Sequence, residues 1–165
     1  MSLSFDVLAE SPASVQQIRE AFACADYWCA RIGSDGRASL DALEVGDDGT
    51  IDVRITQRLG RDSLPGMVTR MLPGRLELRY RETWTPVADD VLRGSAEAHA
   101  AGLGRSRAQN TLARQGNSAQ LRAAVAVEVD LPFVGRQLER MIGESLAGSI
   151  PDTMQFTTTW IFEHE

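Results

Sequence analysis

Leu3, Phe5 and Val7 alternate with Ser4 and Asp6, the two-residue period of a strand buried on one face. Ser11-Pro12 then predicts the opening of a helix, because a proline in the first turn gives up an N–H that has no partner there. Val15, Ile18 and Phe22 supply that helix with an apolar face. A second short helix is predicted over 26–32, with Asp26 as its cap and Gly33 as its stop. Leu40 to Val45 and the alternating Ile51, Val53, Ile55 and Leu59 read as a hairpin about Gly46–Gly49. Leu76, Leu78, Tyr80, Glu82 and Trp84 share one face of the next strand. Val91–Gly102 and Arg105–Gln115 are weaker strands of small and polar residues. After a turn at Gly116-Asn117, Leu121, Ala123, Val125, Val127 and Val129 alternate as a last strand.

The chain closes on a long helix predicted to open near Leu131-Pro132-Phe133. Val134, Leu138, Met141, Ser145, Ser149, Thr153, Phe156 and Trp160 form a helical stripe, which Ile142, Leu146, Ile150, Met154 and Ile161 broaden. Pro151 lacks the backbone donor a helix interior needs, so a kink or break is expected near Ala147–Pro151. The order is a strand, two short helices, about six antiparallel strands and a long helix. Strands in one block with helices outside it argue for an α+β fold, and nothing divides residues 1–165 into more than one domain. One sheet face must pack on the final helix. The other can face water, which accounts for the alternating Arg75, Arg79 and Arg81.

Composition narrows the function classes. The net charge is −6, and all 17 basic residues are arginine. An acidic chain repels a phosphate backbone, so nucleic acid is not an expected partner. No apolar run reaches the length of a membrane span, and MSLSFDVLAE has none of the features of an export signal, so a cytoplasmic location is expected. Cys24 and Cys29 are too few for a disulfide framework and read as reduced thiols. Two histidines and no paired-cysteine motif leave no metal site. The dinucleotide fingerprint, the phosphate-binding loop and the nucleophile elbow are missing, so no cofactor is expected.

Three short motifs give a more specific lead. Leu64-Pro65-Gly66-Met67-Val68, Glu82-x-Trp84 and Leu131-Pro132-Phe133-Val134-Gly135, in this order and spacing, resemble an uncharacterised, mainly actinobacterial family, the domain of unknown function 2505. That family belongs to the START-like (SRPBCC) superfamily. The resemblance implies the helix-grip fold: a curved antiparallel sheet of six to seven strands wrapped around a long C-terminal helix, with a cavity between them. It assigns no reaction. Members of the superfamily bind lipids, polyketides, sterols or other apolar molecules, and some bind proteins.

Against that architecture, a few residues invite a role. Leu64, Met67, Val68, Met71 and Leu72 have the spacing of a short amphipathic helix. Its methionines suit an apolar binding surface, and it reads either as a lid over the cavity, with Met67 and Met71 at the mouth, or as a plug of core. Glu82 lies between Tyr80 and Trp84 on an otherwise apolar face. A carboxylate there is paired with an arginine, desolvated, or beside a water-filled pocket, and it could orient a polar head group or act as acid or base. Glu97 and His99 fall on the solvent parity of their strand. The expected ligand-binding set is Met67, Met71, Tyr80, Glu82, Trp84, Leu138, Met141 and Ser145, with no catalytic residue assigned. The favoured function is binding of a small hydrophobic, lipid- or polyketide-like ligand. A cyclase or dehydratase using Glu82, and a protein-interaction module using the groove, remain the alternatives.

Overall fold

A computed structural model describes residues 2–60, 66, 70 and 76–165. Strand β1 (Ser2–Ser11) leads into helices α1 (Val15–Phe22) and α2 (Ala25–Ile32). Strands β2 (Ala38–Val45), β3 (Ile51–Leu59), β4 (Leu76–Ala88), β5 (Val91–Ala100), β6 (Gly104–Gln115) and β7 (Ser118–Val129) follow, and helix α3 (Gly135–Glu163) ends the chain. All strand pairs are antiparallel, in the order β1-β7-β6-β5-β4-β3-β2. The first strand therefore lies beside the last, and α3 packs chiefly on β1 and β7. This is the expected α+β helix-grip arrangement. The two weak strands expected over 91–102 and 105–115 are present as β5 and β6.

Alternation fixes the two faces of the sheet. Phe5, Val125, Ala108, Ala96, Glu82 and Val53 line up across six strands on the concave side. The convex side carries charge: Arg79 and Arg81 are exposed, and Arg81 pairs with Asp52 at 2.7 Å. Glu97 and His99 are also exposed on this side. The largest cluster of buried apolar residues joins α1 and α2 (Ile18, Phe22, Tyr27, Trp28) to Ile51, Trp84, Leu112 and the C-terminal half of α3 (Met154, Ile161).

The helix ends differ from the sequence expectation. Helix α1 opens at Val15, capped by Ser14 in a reciprocal capping box with Gln17; Ser11 ends β1 instead. The cap position of α2 is Cys24, and Asp26 sits in the first turn, where its charge favours the helix N-terminus. Helix α3 opens at Gly135 rather than at Leu131–Phe133, because Phe133 has a φ of 70°, outside the helical range. The expected break at Pro151 does not occur: α3 runs through it to Glu163. Pro151 is exposed, so the carbonyl it leaves unpartnered is within reach of water, while Ile150 and Met154 hold that turn to the core. Close packing also fixes the first half of the helix. A Cβ on Gly143 would lie 2.7 Å from Leu3 Cδ2 and 3.2 Å from Phe5 Cε1, so only glycine allows this approach to β1. No helix among the described residues is long and apolar enough to cross a membrane.

Candidate functional site

The sheet is floored with small residues at its centre. On the concave face β5 presents Gly94, Ala96, Ala98 and Ala100, and β6 presents Ser106, Ala108 and Asn110. Their neighbours on β4 and β7 are large: Tyr80, Glu82 and Trp84 on one side, Val125 and Val127 on the other. Helix α3 leans toward β1 and β7, so side chains do not fill the middle of the concave face. The result is a cavity of about 400 Å3 bounded by β3–β7, the end of α2 and the α3 residues Leu146, Ile150 and Met154. This lies within the range of small-molecule sites, roughly 300–1,000 Å3.

One polar cluster borders this space. Glu82 is 4% exposed and meets Arg31, which reaches it from the last turn of α2. Nη1 lies 3.3 Å from Oε2 and Nη2 lies 3.4 Å from Oε1. The Tyr80 hydroxyl donates to Oε1, and Trp84 Nε1 donates to Oε2 at 3.0 Å. The Arg31 guanidinium also stacks 4.7 Å over the Trp28 ring. Burial works against the charge on Arg31, but Glu82 and the two nearby tyrosines more than offset it and raise its pKa above the ordinary arginine value. Burial, followed by the negative charge of Glu82, pushes the Tyr80 phenol well above its ordinary value of 10.0. Burial likewise raises Tyr27, whose hydroxyl lies 2.6 Å from Thr157 Oγ1. Two arginine N–H groups, a phenol and an indole thus occupy both carboxylate oxygens twice over. A carboxylate has about four lone-pair sites, so none is left to accept a further hydrogen bond. The chemistry of the cluster is that of an anchor between α2 and β4.

The expected site residues divide. Tyr80, Glu82 and Trp84 come together on the cavity wall. Leu138 is buried in a separate cluster with Leu76, Ala100 and Leu103, and Met141 and Ser145 are exposed. None of these three lines the cavity; the face that does is the neighbouring stripe Leu146, Ile150 and Met154, with Ser149 and Thr153 beside it. Met67 and Met71, and the short helix expected around them, lie outside the described residues. Most of the lining has no place in the expected set, the polar Arg31 and Asn110 included. Asn110 had a signal: it shares parity with Ser106, Ala108 and Leu112. Among the described residues no group of His, Cys, Asp and Glu could hold a metal ion.

Residues 6–161 match the family described as proteins of unknown function, DUF2505. The chain belongs to this family. Uncharacterised proteins of Mycobacterium tuberculosis (strain ATCC 25618 / H37Rv) and Mycobacterium bovis (strain ATCC BAA-935 / AF2122/97) are each 35% identical to it over 171 residues, covering 98% of both chains. Several solved structures share the fold of this DUF2505 protein. It aligns with the di-domain ARO/CYC StfQ of the steffimycin biosynthetic pathway at a TM-score of 0.65 and 12% identity, over 99% of this chain and 52% of that one. It aligns with the Zhui aromatase/cyclase of Streptomyces sp. R1128 at 0.59 and 11%, over 98% and 94%. A Thermus thermophilus protein gives 0.60 and 10%, over 99% of each chain. At these identities the likeness concerns the fold.

Proposed function

We propose that this protein binds a small, mainly apolar molecule, lipid- or polyketide-like, in the cavity between the concave sheet face and α3. The observation that carries this reading is the floor of Ala96, Ala98, Ser106 and Ala108 beneath a space of about 400 Å3. Interiors pack to crystal-like density, and filling a void stabilises a core by roughly 24 cal/mol per Å3. A larger residue at Ala96 or Ala98 would occupy part of it. A hollow that the chain leaves unfilled, lined by Ile55, Leu121, Val125, Ile150 and Met154, suits an apolar guest. Structural neighbours named as aromatase/cyclases agree with a ligand of that class. The cyclase or dehydratase alternative is the weaker one, because the residue it needs, Glu82, has its lone pairs occupied.

Native mass spectrometry of the freshly purified protein tests the reading. The expected result is an added mass of roughly 200–400 Da, in keeping with a cavity of this size, that is missing from Ala98→Trp. A wild-type protein that carries no added mass and takes up no apolar probe would overturn it.

A further inference from the structure

We propose that Asn110 selects the ligand: the cavity takes an apolar molecule bearing one neutral hydrogen-bonding group, a hydroxyl, carbonyl or amide, in preference to a plain hydrocarbon or a carboxylate. This rests on the binding reading above and names the chemistry of its ligand. Asn110 occupies the concave face of the central strand β6, opposite Gly94 on β5 and Ala123 on β7. Asparagine is depleted from strands, and an amide facing an apolar hollow loses solvation unless something bonds to it. The fully buried polar side chains beside the cavity have partners: Glu82 is bound by Arg31, Tyr80 and Trp84, and Tyr27 is bound to Thr157, whereas Asn110 is half-buried. Among the described residues the Asn110 amide has no such partner, although it borders the cavity. An amide that is left unpaired and aimed into a binding space can both donate to and accept from a guest.

The charges of the lining specify that guest further. The ionised groups on the wall are Arg31 and Glu82, which cancel at contact. Arg107 borders the space but turns its side chain to the convex face, where it meets Glu97 at 3.5 Å. An anionic guest would therefore lose its hydration for no net positive field. A neutral polar group gives up less and finds the amide.

Three probes with one ring system decide the matter: naphthalene, 2-naphthol and 2-naphthoate, titrated by calorimetry into the wild type, Asn110→Leu, Asn110→Ala and Ser106→Ala. The wild type should bind 2-naphthol about tenfold more tightly than naphthalene, the worth of one net hydrogen bond, and 2-naphthoate the least. Asn110→Leu should bring 2-naphthol and naphthalene within about twofold of each other. Asn110→Ala, smaller and of a kind with its alanine neighbours, should do the same should the leucine variant not fold. Ser106→Ala should keep the preference. Naphthalene binding with no preference for 2-naphthol, a preference that survives both Asn110 variants, or tightest binding of 2-naphthoate overturns this inference alone. Failure of all three probes to bind the wild type overturns the cavity reading together with it.

Discussion

Glu82 and Arg31 form a pair whose members are costly apart. Removing one partner of a buried ion pair destabilises by about 3–5 kcal/mol, because the other is left charged and desolvated. Arg31 keeps 21% side-chain exposure, so Glu82→Leu should cost about 3 kcal/mol in urea unfolding, at the lower end of that range. The double variant Arg31→Met/Glu82→Leu should recover most of that loss. A double variant no more stable than Glu82→Leu would contradict the pairing. Tyr80 adds a pH dependence. Its raised pKa means that the folded chain keeps a proton which the unfolded chain releases near 10. The stabilisation is therefore whole below about pH 10 and lost as pH rises beyond it. The urea midpoint should fall between about pH 9.5 and 11, and Tyr80→Phe should shrink that fall; an unchanged slope in the variant would contradict it. At this scale the sequence showed half the arrangement. A carboxylate between Tyr80 and Trp84 is conspicuous by parity alone, whereas Arg31 lies 51 residues away on another element, and no local pattern pairs the two.

The strands were legible as elements because period-two alternation is strong wherever one face is buried; even the weak β5 and β6 keep parity through Leu92, Ala98, Ser106 and Leu112. Helix α3 was legible in existence but not in orientation. Its apolar positions span two adjacent stripes, and periodicity cannot say which of them faces a cavity and which meets β1 or solvent. Leu138, Met141 and Ser145 miss the cavity because the first half of the helix packs against β1 and a separate small cluster, whereas Ser149 and Thr153 of the same stripe reach it. Two interior glycines of α3, Gly143 and Gly148, separate propensity from packing. Gly148 has open space around it and Gly143 does not. Gly148→Ala should stabilise the protein by about 1 kcal/mol from helix propensity. Gly143→Ala should gain less or lose stability, since its methyl meets Leu3 and Phe5. Equal gains at both sites in urea unfolding would contradict the close approach of α3 to β1.

Over the whole molecule, the cavity follows from where the chain closes its sheet. Pairing β1 with β7 draws α3 to that side, and the small residues of β5 and β6 leave the concave centre unfilled. Neither circumstance alone would make a cavity, and the sequence displays only the second. The alanines of the sheet offer the most direct test, because they report on both faces. Ala96, Ala98 and Ala108 floor the cavity, while Ala124 and Ala126 lie on the convex side. In a methyl-labelled alanine NMR spectrum, titration with 2-naphthol should shift Ala96, Ala98 and Ala108 and leave Ala124 and Ala126 in place. Shifts as large on the convex alanines, or none on the floor, would contradict a ligand site between the sheet and its helix.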